Sequence, residues 1–362
     1  MVAKKIGISR DLIIHPGETI ADVLEERGIS QVELASWTGV TPAYISNVIA
    51  GKKDISAKFA FALEYALDIP KSFWLNLQAN YDAELLEANE NQTIDAEERT
   101  AREALGDIVK HLRKKGKMPE RESKDDSILS LRKILQISNI SNLKDLVPQG
   151  AFRMANAVVN PYVLGAWLRL CQLASDKRNI TTHFDINDVD RLIADIKGIM
   201  LRPNADIQNE LRTVMEKYGI DFSVVRNFKG APVQGYISQK SDGSYQIALT
   251  IRGAFADIFW FSLFHELGHL VNGDLGKNNR FIDSGSDQEK EAKADEFASN
   301  RLINPKEYED FKQIGDYSIT SINRFAEKQR VPNYIVIGRL QKEKILDYTQ
   351  YSGYKTRYKW AE

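Results

Sequence analysis

At 362 residues, with 43% hydrophobic and 27% charged side chains and a net charge of −1, the chain is long enough for two or three domains of ordinary globular composition. Near-neutral charge excludes a global attraction to nucleic acid or membrane. The one cysteine, Cys171, excludes an internal disulfide and sits among Leu168, Leu170 and Leu173, as a buried thiol in a reducing cytosol would; no stretch reaches about 18 uncharged apolar residues and the start lacks a signal-peptide pattern, so a cytoplasmic protein without membrane contact is expected.

In chain order, the first predicted helix opens at His15-Pro16-Gly17-Glu18, with Pro near its first turn and Ile20, Val23 and Leu24 on one face; Gly28 ends it. Ser30 caps a second helix over residues 31–37, and Glu33 completes a capping box. Gly39 breaks it. Thr41 caps a third helix over residues 43–49, with Pro42 at its first position. Ala35, Val40, Ile45 and Val48 are spaced to pack these two helices at an angle, which is a helix-turn-helix signature. In that geometry the third helix enters the DNA major groove and presents Thr41, Ala43, Tyr44, Ser46 and Asn47. Asn47 can pair bidentately with adenine, while Gln31, Lys52 and Lys53 are placed for phosphates. Residues 1–80 hold eight Lys/Arg against nine Asp/Glu, so a helical domain that binds protein instead of DNA is the competing reading.

These residues, with Gly51-Lys52-Lys53, Ile55-Ser56 and the run Phe73-Trp74-Leu75-Asn76-Leu77-Gln78-Ala79, resemble the HigA-type antitoxins of the XRE helix-turn-helix class over residues 15–82. The resemblance implies a five-helix domain, a homodimeric repressor and a palindromic double-stranded DNA operator. In toxin-neutralising members it also implies a toxin partner.

Residues 83–215 read as charged helix, with an exposed hinge at residues 113–127 whose basic cluster can touch DNA phosphates, and a helical stretch from Tyr162 to Leu170. This middle region either connects or senses. Strands are predicted over residues 222–225, 233–237 and 246–251, and the last is a candidate to pair with an extended substrate.

Next comes the most apolar stretch, residues 255–264, followed by His265-Glu266-Leu267-Gly268-His269. In a helix, His265 and His269 lie one turn apart on one face, so both can reach a single Zn²⁺, and Glu266 can act as general base toward water. The competing reading is a buried helix with two satisfied histidines. Asn272 and Leu275 stand where a metzincin needs Gly and His, which excludes that class. A third ligand is available in the segment from Asp287 to Ala298, where Ala294, Phe297, Ala298 and Leu302 mark the buried face and Glu291 lies on or near it. Asp295, one turn on, is placed to hydrogen-bond a ligand histidine, while Glu289 and Glu296 read as solvated. Helix returns over residues 318–347, with a break at Val331-Pro332.

The blocks around His265-Glu266-Leu267-Gly268-His269 and Glu291-x-x-Ala294-Asp295 resemble the ImmA/IrrE metallopeptidases over about residues 215–345. That resemblance implies a zincin-like domain with a small sheet, and a zinc peptidase that cleaves a helix-turn-helix repressor. The expected architecture is multidomain and mainly α with an α+β part: a helix-turn-helix domain at 1–82, a helical middle at 83–215 and a peptidase domain at 216–362. The expected function is a DNA-binding regulator whose peptidase cleaves itself or a repressor. The alternative is a non-catalytic antitoxin whose peptidase-like domain binds a toxin or ligand.

Overall fold

The computed structural model describes residues 13–147, 159–175, 180–202, 205–275, 280–282 and 288–360. The opening residues read for a signal peptide, and Asp287, lie outside these. The chain divides into two compact units, Met1–Ala96 and Glu97–Glu362.

The first unit holds five helices: α1 (Pro16–Arg27), α2 (Gln31–Thr38), α3 (Pro42–Ile49), α4 (Ala57–Leu67) and α5 (Lys71–Ala88). Their boundaries follow local chemistry. The His15 ring accepts from the Gly17 amide at the start of α1, and Gly28 takes the left-handed conformation at its end. Ser30 and Glu33 form the reciprocal capping box of α2, and Thr41 caps α3 ahead of Pro42. Leu34, Ile45, Val48, Phe59, Leu63 and Trp74 fill the core between the helices. One buried polar bridge ties α5 to the loop after α3: Gln78 Oε1 accepts from the Ile55 amide at 2.8 Å, and its Nε2 donates to Asp82 at 2.9 Å.

The second unit contains α6 (Ala96–Ala104), α7 (Gly106–Lys114), α8 (Lys124–Leu135), α9 (Pro161–Ser175), α10 (Val189–Met200) and α11 (Ile207–Glu216). Then come β1 (Ile220–Val224), β2 (Gly235–Gln239), β3 (Tyr245–Leu249), α12 (Ala256–Asn272), β4 (Arg280–Ile282) and α13 (Gln288–Leu302). The last helices are α14 (Pro305–Ile314), α15 (Ile319–Gln329) and α16 (Asn333–Lys342).

The four strands form one sheet in the order β1-β3-β2-β4. β1 and β3 are parallel, and the other pairs are antiparallel. Alternation along the strands separates two faces. Phe222, Ile237, Ile247 and Leu249 enter the core that surrounds α12. On the other face Tyr236 meets the buried Trp167 of α9 edge to face at 6.3 Å, and Gln246 donates to the Cys171 carbonyl. The sheet is thus covered by helices on both sides. Residues 97–215, read from the sequence as a middle region, share one unit with the sheet for this reason: α9 seals one face, and the apolar sides of α10 and α11 join the α12 core.

The arrangement corrects the expectation for residues 246–251. β3 is hydrogen-bonded on both edges, to β1 and β2, so its backbone has no free side for a substrate strand. Among the described residues no helix is long and apolar enough to cross a membrane.

Replacing Gln78 with Ala leaves the Ile55 amide buried without its acceptor. The change should destabilise the first unit by about 1–3 kcal/mol, the cost of an unsatisfied buried donor. Faster hydrogen exchange at Ile55 and a lower denaturant midpoint in the full chain are expected; unchanged exchange would rule out the bridge.

Candidate metal centre and nucleic-acid interface

α12 is fixed at both ends. At its start, the Ala256 amide donates to the Thr356 carbonyl, the Trp260 indole donates to the Tyr358 hydroxyl at 2.8 Å, and Lys355 pairs with the half-buried Asp257 at 2.6 Å. At its end Gly273 adopts the left-handed conformation. Between them α13 crosses at close range. A Cβ on Gly268 would lie 3.0 Å from the Ala294 Cα and 3.1 Å from its carbonyl oxygen, so the absence of a side chain there sets how near the two helices come.

That approach brings Glu291 to the histidines. His265 Nε2 lies 3.2 Å from Glu291 Oε2 and 3.0 Å from His269 Nε2, and one ligand atom from each of the three residues fits within 4.8 Å of the others. The rings are oriented from behind. His265 Nδ1 is 2.9 Å from Asp295 Oδ1, and His269 Nδ1 is 2.9 Å from Asp274 Oδ2. An ionised carboxylate only accepts, so Nδ1 donates in each ring and the Nε2 lone pairs face inward. Burial is the main influence on His269: it holds the ring below the ordinary imidazole range and so favours the neutral, ligating form, against the opposing pull of Asp274. Burial pushes the Asp295 carboxyl upward, but the His265 hydrogen bond and the Lys342 ammonium outweigh it and leave it lowered.

These residues fit Zn²⁺. Two imidazole nitrogens and a carboxylate are a suitable donor set, with lone pairs converging on one point. Glu291 Oε1 is in addition buried without a hydrogen-bond partner. The Glu266 side chain follows His265 and is 1% exposed. The β2 backbone passes directly over it: a Cβ on Gly235 would come within 2.0 Å of Glu266 Oε1. A cleft of about 730 Å³ opens beside the centre, lined by His265, Glu291, Asp295, Phe261 and Lys342. Glu266 and His269 do not line it.

The structure therefore gathers His265, His269, Glu291 and Asp295, with Glu266 adjacent. Sequence reasoning missed Asp274 and Gly235. The signal for Asp274 was slight: a carboxylate just beyond the helix-ending Gly273, five residues after His269.

In the first unit, α2 and α3 meet across the turn at Gly39, with Ile45 and Val48 of α3 buried and Thr41, Ala43 and Ser46 exposed. A family model described as helix-turn-helix matches residues 20–74. The first unit is an XRE-type helix-turn-helix domain. The virulence-associated protein A′ of Dichelobacter nodosus is 45% identical over 69 residues, which are 19% of this chain; the chain spans 60% of that relative's length. The Pseudomonas aeruginosa antitoxin HigA, solved with the higBA promoter, is 34% identical and aligns with 23% of this chain and 97% of its own, with a TM-score of 0.21. A HigA-family addiction module antidote protein from Coxiella burnetii is 29% identical over 22% of this chain and 89% of its own, also with a TM-score of 0.21.

Within the helix-turn-helix domain the expected contact residues differ in character. Gln31, Lys52 and Lys53 are exposed, and Asn47 is half-buried. Thr41 is occupied in part by capping, since its hydroxyl accepts from the Tyr44 amide at 3.2 Å. Tyr44 is half-buried, packed edge to face on Phe59 at 5.1 Å and lying beneath the Lys53 ammonium at 5.0 Å. It supports the surface as much as it forms it.

Asp274→Asn and Asp295→Asn should each weaken zinc binding, by about 10–100-fold for a partner that orients a ligand histidine. The larger loss is expected at Asp274, which is buried, whereas Asp295 is half-exposed and shared with Lys342. Competition against a chelator measures both. Equal affinity in Asp274→Asn and the parent chain would remove Asp274 from the centre.

Proposed function

We propose that this chain is a DNA-binding transcription regulator of the HigA/XRE type with a zinc-dependent peptidase centre that cleaves a regulatory protein, either itself or a repressor. The observation that carries the peptidase reading is the convergence of His265, His269 and Glu291, with the Glu266 carboxylate next in sequence to the first ligand. DNA binding is supported by the helix-turn-helix match and by the exposed polar edge of α3. In this reading two copies sit on a palindromic operator in the cytosol, and a toxin is a further protein partner.

The three ligands would hold Zn²⁺, whose chemistry is to acidify a water toward pKa ~7 and polarise a scissile carbonyl. Asp274 and Asp295 keep the imidazoles aimed inward. Glu266 takes the proton from the attacking water and passes it to the leaving amine. The loop between α7 and α8 is a candidate self-cleavage site because residues 115–117 and 119–121 are exposed, although buried Met118 and the Arg113–Glu122 pair anchor it.

One observation favours a second reading, a non-catalytic antitoxin or repressor: Glu266 is nearly fully buried and lies outside the cleft wall. Comparing the parent chain with Glu266→Gln separates the two. Both should carry about one zinc per chain, because the substitution leaves the ligands intact. Only the parent should cleave itself or a co-encoded repressor. Identical behaviour of the two proteins would sink the peptidase reading and leave the binding one.

For the operator, Asn47→Ala should weaken binding by about 1–3 kcal/mol, the range of one bidentate base contact. A gel shift measures it, and undiminished binding would remove Asn47 from base reading.

A further inference from the structure

A second cleft, of about 500 Å³, opens in the Glu97–Glu362 unit and has no part in the metal centre. Its walls come from the end of α7 and the following loop, from α9, from the stretch after β1 and from Trp360. Lys114, Lys115, Lys117 and Arg226 line it, and no carboxylate among the described residues does. Among the described residues none of the four cations is paired with an acid. An adjoining recess adds Lys110 and Lys229, with Asp107 as its one acid, 3.8 Å from Lys110.

Four like charges around one concavity repel each other, and a bound anion relieves that repulsion. The ring of His111, also in the wall, registers the field. Burial first, and then the charges of Arg226, Lys115, Lys117 and Lys114, hold it below its ordinary range. Apart from Gln208 the remaining wall is apolar: Phe228, edge to face with His111 at 5.6 Å, together with Leu170, Val225 and the indole of Trp360. The volume suits a small molecule.

We propose that this cleft binds an organic phosphate with a flat apolar body, for which a nucleoside monophosphate is the simplest example. The lysines and Arg226 take the phosphate, and the aromatic wall takes the body. A phosphate alone engages half of this wall, and an uncharged nucleoside the other half. The same chemistry is also presented by the end of a nucleic acid strand, so the test includes both sources. The inference does not rest on the peptidase reading.

The full chain is titrated calorimetrically at low salt with adenosine monophosphate, adenosine, inorganic phosphate and a short single-stranded oligonucleotide. Saturable binding of the monophosphate is expected, at least about tenfold tighter than phosphate or adenosine. Binding should weaken with added salt and fall by at least about tenfold in Lys114→Glu/Arg226→Glu. Trp360→Phe, which keeps a flat ring, should retain binding and guards against a merely unfolded double variant, whose melting temperature is read alongside. No saturable monophosphate binding would overturn the proposal. So would binding that survives in the double variant, or binding of the oligonucleotide alone.

Discussion

The candidate metal centre depends on one constraint, the closeness of α13 to α12. Helices that carry ordinary side chains at their crossing sit about 8–10 Å apart. Here Gly268 faces Ala294, and the two backbones come near enough for a glutamate on one helix to meet histidines on the other. Glu291 lies three residues before Ala294 and so projects from the same side of α13. The glycine inside the histidine motif therefore has a packing role, and the meeting of Glu291 with the two histidines requires it. The two histidines supply one side of the centre, and the crossing supplies the other.

Burying two imidazoles in an apolar core is unfavourable unless their ring N–H groups have partners. Asp274 and Asp295 provide these partners from opposite directions, one from the loop leaving α12 and one from α13. β2 closes the remaining side. Gly235 pairs with Leu249 of β3, and from Tyr236 to Ser238 the strand is paired with β4 as well, so the backbone beside Glu266 is anchored in the sheet. A side chain at position 235 would collide with the carboxylate, so the glycine is what lets the strand pass so near.

How much of this was legible follows from the range of each signal. Helix ends were legible, because Ser30 with Glu33 and Thr41 with Pro42 act within one turn. The histidine pair was legible for the same reason. The placement of Glu291 and Asp295 on one face of a second helix could also be read, since helical periodicity fixes it. Asp274 lies past the end of α12, where periodicity no longer applies. Gly235 meets Glu266 only through strand order, and strand order is what moved β3 from a presumed edge to the sheet interior. The helical stretch from Tyr162 to Leu170 was visible, but nothing local said which surface it would cover. The basic cleft is less legible still. Its lysines at 114–117 looked like part of a solvated hinge until folding set Arg226 and Trp360 opposite them.

The strap over the first turn of α12 also bears on the order of synthesis. Residues 355–358 hold the helix start through Lys355, Thr356 and Tyr358, so this contact forms only after nearly all the preceding chain has left the ribosome. The helix-turn-helix domain emerges before that strap, with its own core complete by α5. A nascent chain thus possesses a folded reader of DNA for as long as it takes to make the rest. The helix that carries the histidines meanwhile lacks both Glu291 and its clasp. The helix-turn-helix core is therefore complete before the candidate centre can be assembled.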